Sequence, residues 1–201
     1  MKTIVITGPS GSGKSYLSNK LSKLFDNTIL IKTDSYYRDN ILIRLLSIFI
    51  KDIYDRTFTI KKNEIKNTLR SIYNKEKSIC FYKYDFKRKK SSQKNLNIKY
   101  NVNNQLLIIE GIFSHRLNLN YQDIINIVCI EDKEICLTRR LNRDQLERGR
   151  DKHEVYEKFN KSWYLFYKNV INYLNENKVI TINTLDNKSF NNLVLKIQTK
   201  N

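Results

Sequence analysis

Eight residues near the start of the chain, Gly8-Pro9-Ser10-Gly11-Ser12-Gly13-Lys14-Ser15, have the spacing G-x-x-x-x-G-K-S. The chemistry of such a run is anion binding. The glycines Gly8, Gly11 and Gly13 let backbone N–H groups turn inward, with Ser10 and Ser12 between them, around a chain of phosphates. Lys14 adds a point charge for the β- and γ-phosphates, and the Ser15 hydroxyl is a ligand for Mg²⁺. The run is preceded by Ile4-Val5-Ile6 and followed by Leu17, Leu21, Leu24 and Phe25 at helical spacing. That is the strand–loop–helix context the motif requires, with the helix dipole aimed at the anion. The pattern implies a nucleoside triphosphate site.

Three further clusters have residue types suited to phosphate chemistry. Asp34 lies in Lys32-Thr33-Asp34-Ser35-Tyr36-Tyr37-Arg38, just after an apolar run. An Asp there either supports Mg²⁺ and accepts the proton of an attacking hydroxyl, or caps a turn. Glu110 closes Leu106-Leu107-Ile108-Ile109. A lone carboxylate ending an apolar strand is costly to bury without a cation, so it reads as a metal-coordinating residue. The run from Arg139 to Asp151 contains Arg139, Arg140, Arg143, Arg148 and Arg150 in a chain that otherwise prefers lysine. Forked guanidiniums suit a lid over transferring phosphate; the plainer reading is a solvated helix laced with Asp and Glu.

The elements that must position these groups are legible in the hydropathy pattern. Core strands are expected at 3–7, 28–32, 106–109, 126–130 and 178–182, with the β-branched, non-alternating character of strands buried on both faces. Val155, Phe159, Trp163, Phe166, Val170 and Tyr173 step by three or four along one long helix. A last helix contains Phe190, Leu193, Val194 and Ile197. The expectation is one α/β domain over 1–201, a doubly wound parallel sheet of about five strands with helices on both faces. An insertion at 78–105 reads as a hairpin, strands 78–84 and 96–102 around the basic stretch 87–95, or alternatively as a charged loop. The arginine-rich lid spans 139–152.

Composition narrows the function classes. Hydrophobic residues make up 40% and charged residues 28% of the 201, an ordinary globular balance. The richest apolar stretch, 41–50, contains Arg44 and is too short to span a bilayer, so it is expected to be a buried helix. No membrane partner and no signal peptide are expected. Cys80, Cys129 and Cys136 lack C-x-x-C spacing and read as reduced core residues in a cytoplasmic protein. The net charge of +17 goes with an absence of alanine and an abundance of Lys, Asn, Ile and Tyr, a pattern of AT-rich coding. Charge alone licenses only non-specific attraction, so no dedicated nucleic-acid surface is expected.

Together these pieces resemble the uridine kinase (uridine–cytidine kinase) family of P-loop phosphotransferases, related to phosphoribulokinase. The resemblance runs over about 1–185 and rests on Gly8–Ser15, Asp34-Ser35-Tyr36-Tyr37-Arg38 against the family's D-S-F-Y-R, Tyr84-Asp85-Phe86, Ile108-Ile109-Glu110-Gly111-Ile112, and the R-R-x-x-R-D-x-x-E-R-G-R-D run. It implies Mg²⁺-dependent transfer from ATP or GTP to the 5′-hydroxyl of a small-molecule nucleoside, uridine or cytidine first, in pyrimidine salvage. By position it implies that Lys14 grips phosphate, that Ser15, Glu110 and Asp34 hold Mg²⁺, and that Asp34 is also the general base. Arg143 and Arg148 serve the phosphates, and Arg140 and Arg150 reach the nucleoside. Tyr84 and Phe86 frame the base, and Asp55 falls near a ribose-binding Asp whose F-D-H-P surroundings are altered here. It also leaves room for a homo-oligomer, family members often being tetramers.

Two positions depart from the family. Lys89 stands where Y-D-F-x-x-H has a base-reading His, and Lys158 replaces a Gln. A lysine donates hydrogen bonds but accepts none. The alternatives are a same-fold kinase acting on another hydroxylated acceptor (nicotinamide riboside, a sugar phosphate, pantothenate) and an NTP-binding regulator without catalysis.

Overall fold

Residues 1–50, 53, 56–101, 105–119, 123–176, 179–184 and 186–199 are described by a computed structural model. Five strands, β1 (Lys2–Thr7), β2 (Thr28–Lys32), β5 (Leu106–Gly111), β6 (Ile124–Cys129) and β7 (Val179–Ile182), form one sheet in the order β2-β5-β1-β6-β7. Every pairing in it is parallel. Parallel strands need crossovers, and the helices that supply them cover both faces.

The inner strands β5, β1 and β6 therefore bury residues of both side-chain rows. On one face Ile4, Ile6, Ile108, Ile127 and Cys129 pack with Leu17 and Leu21 of α1 (Lys14–Leu24) and Phe190, Leu193 and Ile197 of α6 (Asn187–Thr199). On the other, Val5, Ile31, Leu107 and Ile109 meet Ile65, Leu69 and Ile72 of α3 (Lys62–Tyr73). Val128 and Phe113 meet Phe166 and Val170 of α5 (Lys152–Glu176). α4 (Lys133–Arg148) packs on α5 through Cys136, Leu137 and Phe159, and Trp163 stacks between Phe159 and Tyr167.

The expected strands are present, with ends shifted by at most two residues; Lys178 lies outside the described residues. Two expectations are corrected. The hairpin exists, but its strands are β3 (Ser78–Asp85) and β4 (Lys90–Asn97), so the basic stretch is itself mostly strand and the turn is 86–89. β4 faces solvent on nearly its whole length, so it has no alternation to read. The apolar stretch at 41–50 does form a helix, α2 (Ile41–Phe49), but most of its apolar side chains point outward.

β3 and β4 form a separate two-stranded sheet docked on α3 and on the turn that follows β2. Thr68 of α3 donates to the Cys80 carbonyl at 3.0 Å, and Tyr36 stacks on Tyr82 at 5.0 Å. The second tie runs through Asp39, which accepts from Lys61 Nζ at 3.1 Å and from the Ser91 N–H of β4 at 2.9 Å. These contacts carry the hairpin's aromatic residues to the carboxyl edge of the large sheet.

Candidate active site

The loop between β1 and α1 is shaped by its glycines and by what lies against it. Gly11 has φ of +90°, and a Cβ there would collide with the Cys136 carbonyl of α4, so only glycine fits. Lys14, buried, reaches back to donate to the Pro9 carbonyl at 3.2 Å. Outside the loop, Arg139 bridges the Gly11 carbonyl and Glu131, each at 3.2 Å, and Thr184 donates to the Ser12 carbonyl at 3.2 Å. The loop is thus braced from α4 and from the end of β7.

Ser15 and Glu110 meet across the site. The Ser15 hydroxyl lies 2.9 Å from Oε2 and 3.1 Å from Oε1 of Glu110. Burial pushes the Glu110 carboxyl above its ordinary range; Lys14 pulls it down while Asp34 raises it further. Two carboxylates in electrostatic contact and a hydroxyl make a set of hard oxygen donors, and Oδ1 of Asp34 is buried without a hydrogen-bond partner. This set fits a Mg²⁺ ion, whose charge would relieve both features.

The arginine run is organised by one residue that the sequence pattern hid. Asp144 has no exposed surface, and its carboxylate gathers Arg143 at 2.8 Å, Arg150 at 2.8 Å, Arg148 at 3.3 Å and Arg140 at 3.7 Å. Burial alone would raise its pKa, but Arg143 and Arg148 hold it below the usual carboxylate range. Gly149 ends α4 in the left-handed conformation with φ of 62°, which turns the chain so that Arg150 N–H donates back to the Asp144 carbonyl at 3.1 Å. This is a buried ionic cluster, and the solvated-helix reading does not hold for it. Arg143 also donates to Ser10 Oγ at 3.3 Å, tying α4 to the loop. Arg140 donates to Ser162 Oγ at 2.7 Å.

Arg148 lies 4.0 Å over the Phe86 ring, and its pKa is lowered to about 10, first by burial and then by Arg143. Phe86, Tyr84 and Tyr37 form an edge-to-face group with centroids 5.2–6.0 Å apart.

One cavity gathers these parts: Ser10, Lys14, Ser15, Asp34, Tyr84, Phe86, Lys89, Arg140, Arg143, Arg148, Arg150 and Lys158 all line it. Tyr37 and Ile112 complete the wall. Gly8, Gly11, Ser12 and Gly13 form the loop beneath it, and Glu110 adjoins through Ser15. Asp55 lies outside the described residues. Lys158 is ion-paired with Glu154 at 2.5 Å, so the lysine that lacks an acceptor has one beside it. Sequence reading missed Asp144, Asp39 and Glu154. Each is an acid paired with at least one basic residue, and on a line of sequence that looks like a solvated surface.

A phosphate loop, an acid-ended central strand and a buried arginine cluster at one carboxyl edge make a phosphotransferase site. Residues 3–188 match the model of the phosphoribulokinase/uridine kinase family. The chain belongs to that family. It is a P-loop kinase. A uridine kinase of Borrelia duttonii (strain Ly) is 29% identical over 161 residues, covering 79% of this chain and 75% of that protein. Among solved structures, one described as a possible uridine kinase from Bacillus stearothermophilus superposes with a TM-score of 0.57 at 13% identity, covering 90% of this chain and 88% of the other. D-glycerate 3-kinase from Cryptococcus neoformans superposes with a TM-score of 0.55 at 14% identity over 83% of this chain and 78% of the other. At those identities the two structures speak for the fold alone.

Proposed function

We propose that this kinase transfers the γ-phosphoryl group of ATP or GTP to the 5′-hydroxyl of a pyrimidine ribonucleoside, uridine first. The observation that carries the reading is Asp34. Its unpartnered carboxylate oxygen shares a cavity with the phosphate-loop lysine and with the aromatic wall of Tyr84 and Phe86. A base placed between a phosphate site and flat aromatic surfaces suits a hydroxyl on a molecule that carries a ring.

In this reading Asp34 takes the proton from the acceptor hydroxyl as its oxygen bonds to the γ-phosphorus. The bond from that phosphorus to the β–γ bridging oxygen breaks, and the nucleoside diphosphate leaves with the electron pair. Lys14, Arg143 and Arg148 stabilise the charge that spreads over the transferring group. Ser15, Glu110 and Asp34 would hold Mg²⁺, which neutralises charge on the β- and γ-phosphates when bound. Tyr84 and Phe86 orient the base, and Arg140 and Arg150 reach the ribose side of the acceptor. The enzyme acts in the cytoplasm, on a salvaged nucleoside.

The test is a panel of acceptors with ATP or GTP and Mg²⁺, the product being read by phosphorus NMR as a 5′-monophosphate. Uridine and cytidine are expected to be turned over. An anionic sugar turned over in their place would shift the acceptor class, and the cationic wall of Lys89, Arg140 and Arg150 gives that second reading its support.

A further inference from the structure

The helix α2 follows the Asp34 segment and has an unusual surface. Ile41, Leu42, Leu45, Ile48 and Phe49 are 74%, 62%, 53%, 69% and 82% exposed. At about 100° per residue these five fall within an arc of roughly 120°, a continuous apolar stripe directed away from the core. Asn40 caps the helix by accepting from the Ile43 N–H at 3.1 Å, and Ile43 turns inward and is buried. Contiguous exposed apolar surface of this kind marks a place where something binds.

Where the stripe lies says what that is. Ile41, Leu45 and Ile48 line a groove of about 390 Å³ whose fourth wall is Lys89. Lys89 is also a wall of the cavity that holds Asp34, Tyr84 and Phe86. Its ammonium lies 3.4 Å from Ser47 Oγ on α2. At φ of +51° it sits in the left-handed region at the end of the hairpin turn, a conformation that costs energy for a residue with a side chain. Lys89 is therefore the shared wall of two adjoining compartments, one polar and next to the base Asp34, the other apolar.

We propose that the groove on α2 is the outer part of the acceptor site and takes an apolar extension, an alkyl or aryl group, at the end of the acceptor remote from the reacting hydroxyl. The inference rests on the nucleoside reading only in placing the acceptor's ring against Tyr84, Phe86 and Lys89. It makes α2 a specificity element, with Ile41, Leu45 and Ile48 as its contacts.

The experiment compares kcat/KM for uridine, 5-hexyluridine and N3-hexyluridine in the wild type, in Ile48→Asp and in Leu45→Ser. Both positions are exposed, so neither change threatens the fold. At least one hexyl derivative is expected to exceed uridine by about tenfold or more, the scale of a few methylenes leaving water. That advantage is expected to fall within about twofold in Ile48→Asp and to shrink in Leu45→Ser. Uridine turnover with neither derivative ahead of it, or an advantage that survives both substitutions, overturns the groove and leaves the nucleoside reading intact. If no nucleoside is phosphorylated, that reading fails and binding decides the groove. Fluorescence titration with dansyl-undecanoate then upholds it if the affinity drops about tenfold or more in Ile48→Asp, and overturns it if the probe binds both proteins equally or neither. A concentration-dependent dimer in sedimentation that Ile48→Asp abolishes would also overturn it, a second copy being the occupant.

Discussion

Arg143 binds Asp144 through two donors on one oxygen: Nε at 2.9 Å and Nη2 at 2.8 Å both reach Oδ1 of a carboxylate with no exposed surface. The neighbours in sequence thereby act as one unit. Arg143 extends from it to the phosphate loop through Ser10, while the second oxygen of Asp144 holds Arg150. The guanidiniums that face the cavity are fixed from behind by a single negative charge. Their mutual repulsion is what that charge opposes.

Asp144→Asn keeps the shape and removes the charge. Breaking a buried ionic cluster by taking one partner typically costs about 3–5 kcal/mol, and a loss of that order is expected in urea unfolding. The sign with pH follows from the lowered pKa. The stabilisation is fully present above the unfolded Asp value of 3.8 and disappears as pH falls through the lower folded value. The gap between wild type and variant is thus expected to be wide at pH 6 and to close on acidification below 3.8. A gap that is constant with pH would mean that the carboxylate is not what holds the cluster.

Asp34→Asn is expected to lower kcat by about 10²–10⁴-fold, the usual loss of a general base, with nucleotide affinity changed little. Calorimetric titration of the nucleotide, beside turnover, checks both halves. Activity within about threefold of wild type would remove Asp34 from the chemistry.

Arg143→Ala and Arg148→Ala are expected to lower kcat more than they raise KM for the acceptor, because the charge they meet develops in the transition state. Arg148→Ala should also loosen Phe86, which loses the cation on its face, so its KM effect is expected to be the larger of the two. Steady-state kinetics in both variants separate the contributions.

His115 gives a pH effect away from the site. Burial, then Arg116 and Lys62, lower its pKa to about 4, against a weaker pull upward from the Asn169 carbonyl. The folded state resists the proton that the unfolded chain accepts below 6.5. Stability is therefore expected to decline as pH drops from 6.5 toward 4 and to recover above it. In His115→Phe, which keeps a ring against Tyr173, that part of the thermal-melting profile should flatten.

Lys14 and Ser15 were legible from the glycine spacing that leads into α1, and Glu110 because it sits near the end of an apolar strand, where a carboxylate is costly without a ligand. The arginines were legible as a group, since guanidinium stands out in a lysine-rich chain. Asp144 was not, because its burial depends on α5 closing over α4, and sequence gives no sign of that contact. β4 was misplaced for a related reason: its residues are held by backbone pairing to β3, which leaves no signature in side chains that nearly all face water. α2 was recognised as a helix, but which way a mostly apolar helix faces is decided by its neighbours. The tie from Asp39 to Ser91 spans 52 residues and joins a side chain to a backbone N–H, a kind of contact that spacing does not reveal.

The strand order also sets a timetable. β1 lies between β5 and β6 at the centre of the sheet and finds those partners only after about a hundred residues have followed it. Ser15 waits for Glu110 across 95 positions. During synthesis the phosphate loop emerges before Glu110 and stays unframed until that carboxylate arrives, so loop closure over long distances must come before the loop is braced. Folding that depends on so many distant pairings is expected to be slow for a chain of this size. Nucleotide, by binding only the finished loop, would draw the last stage to completion.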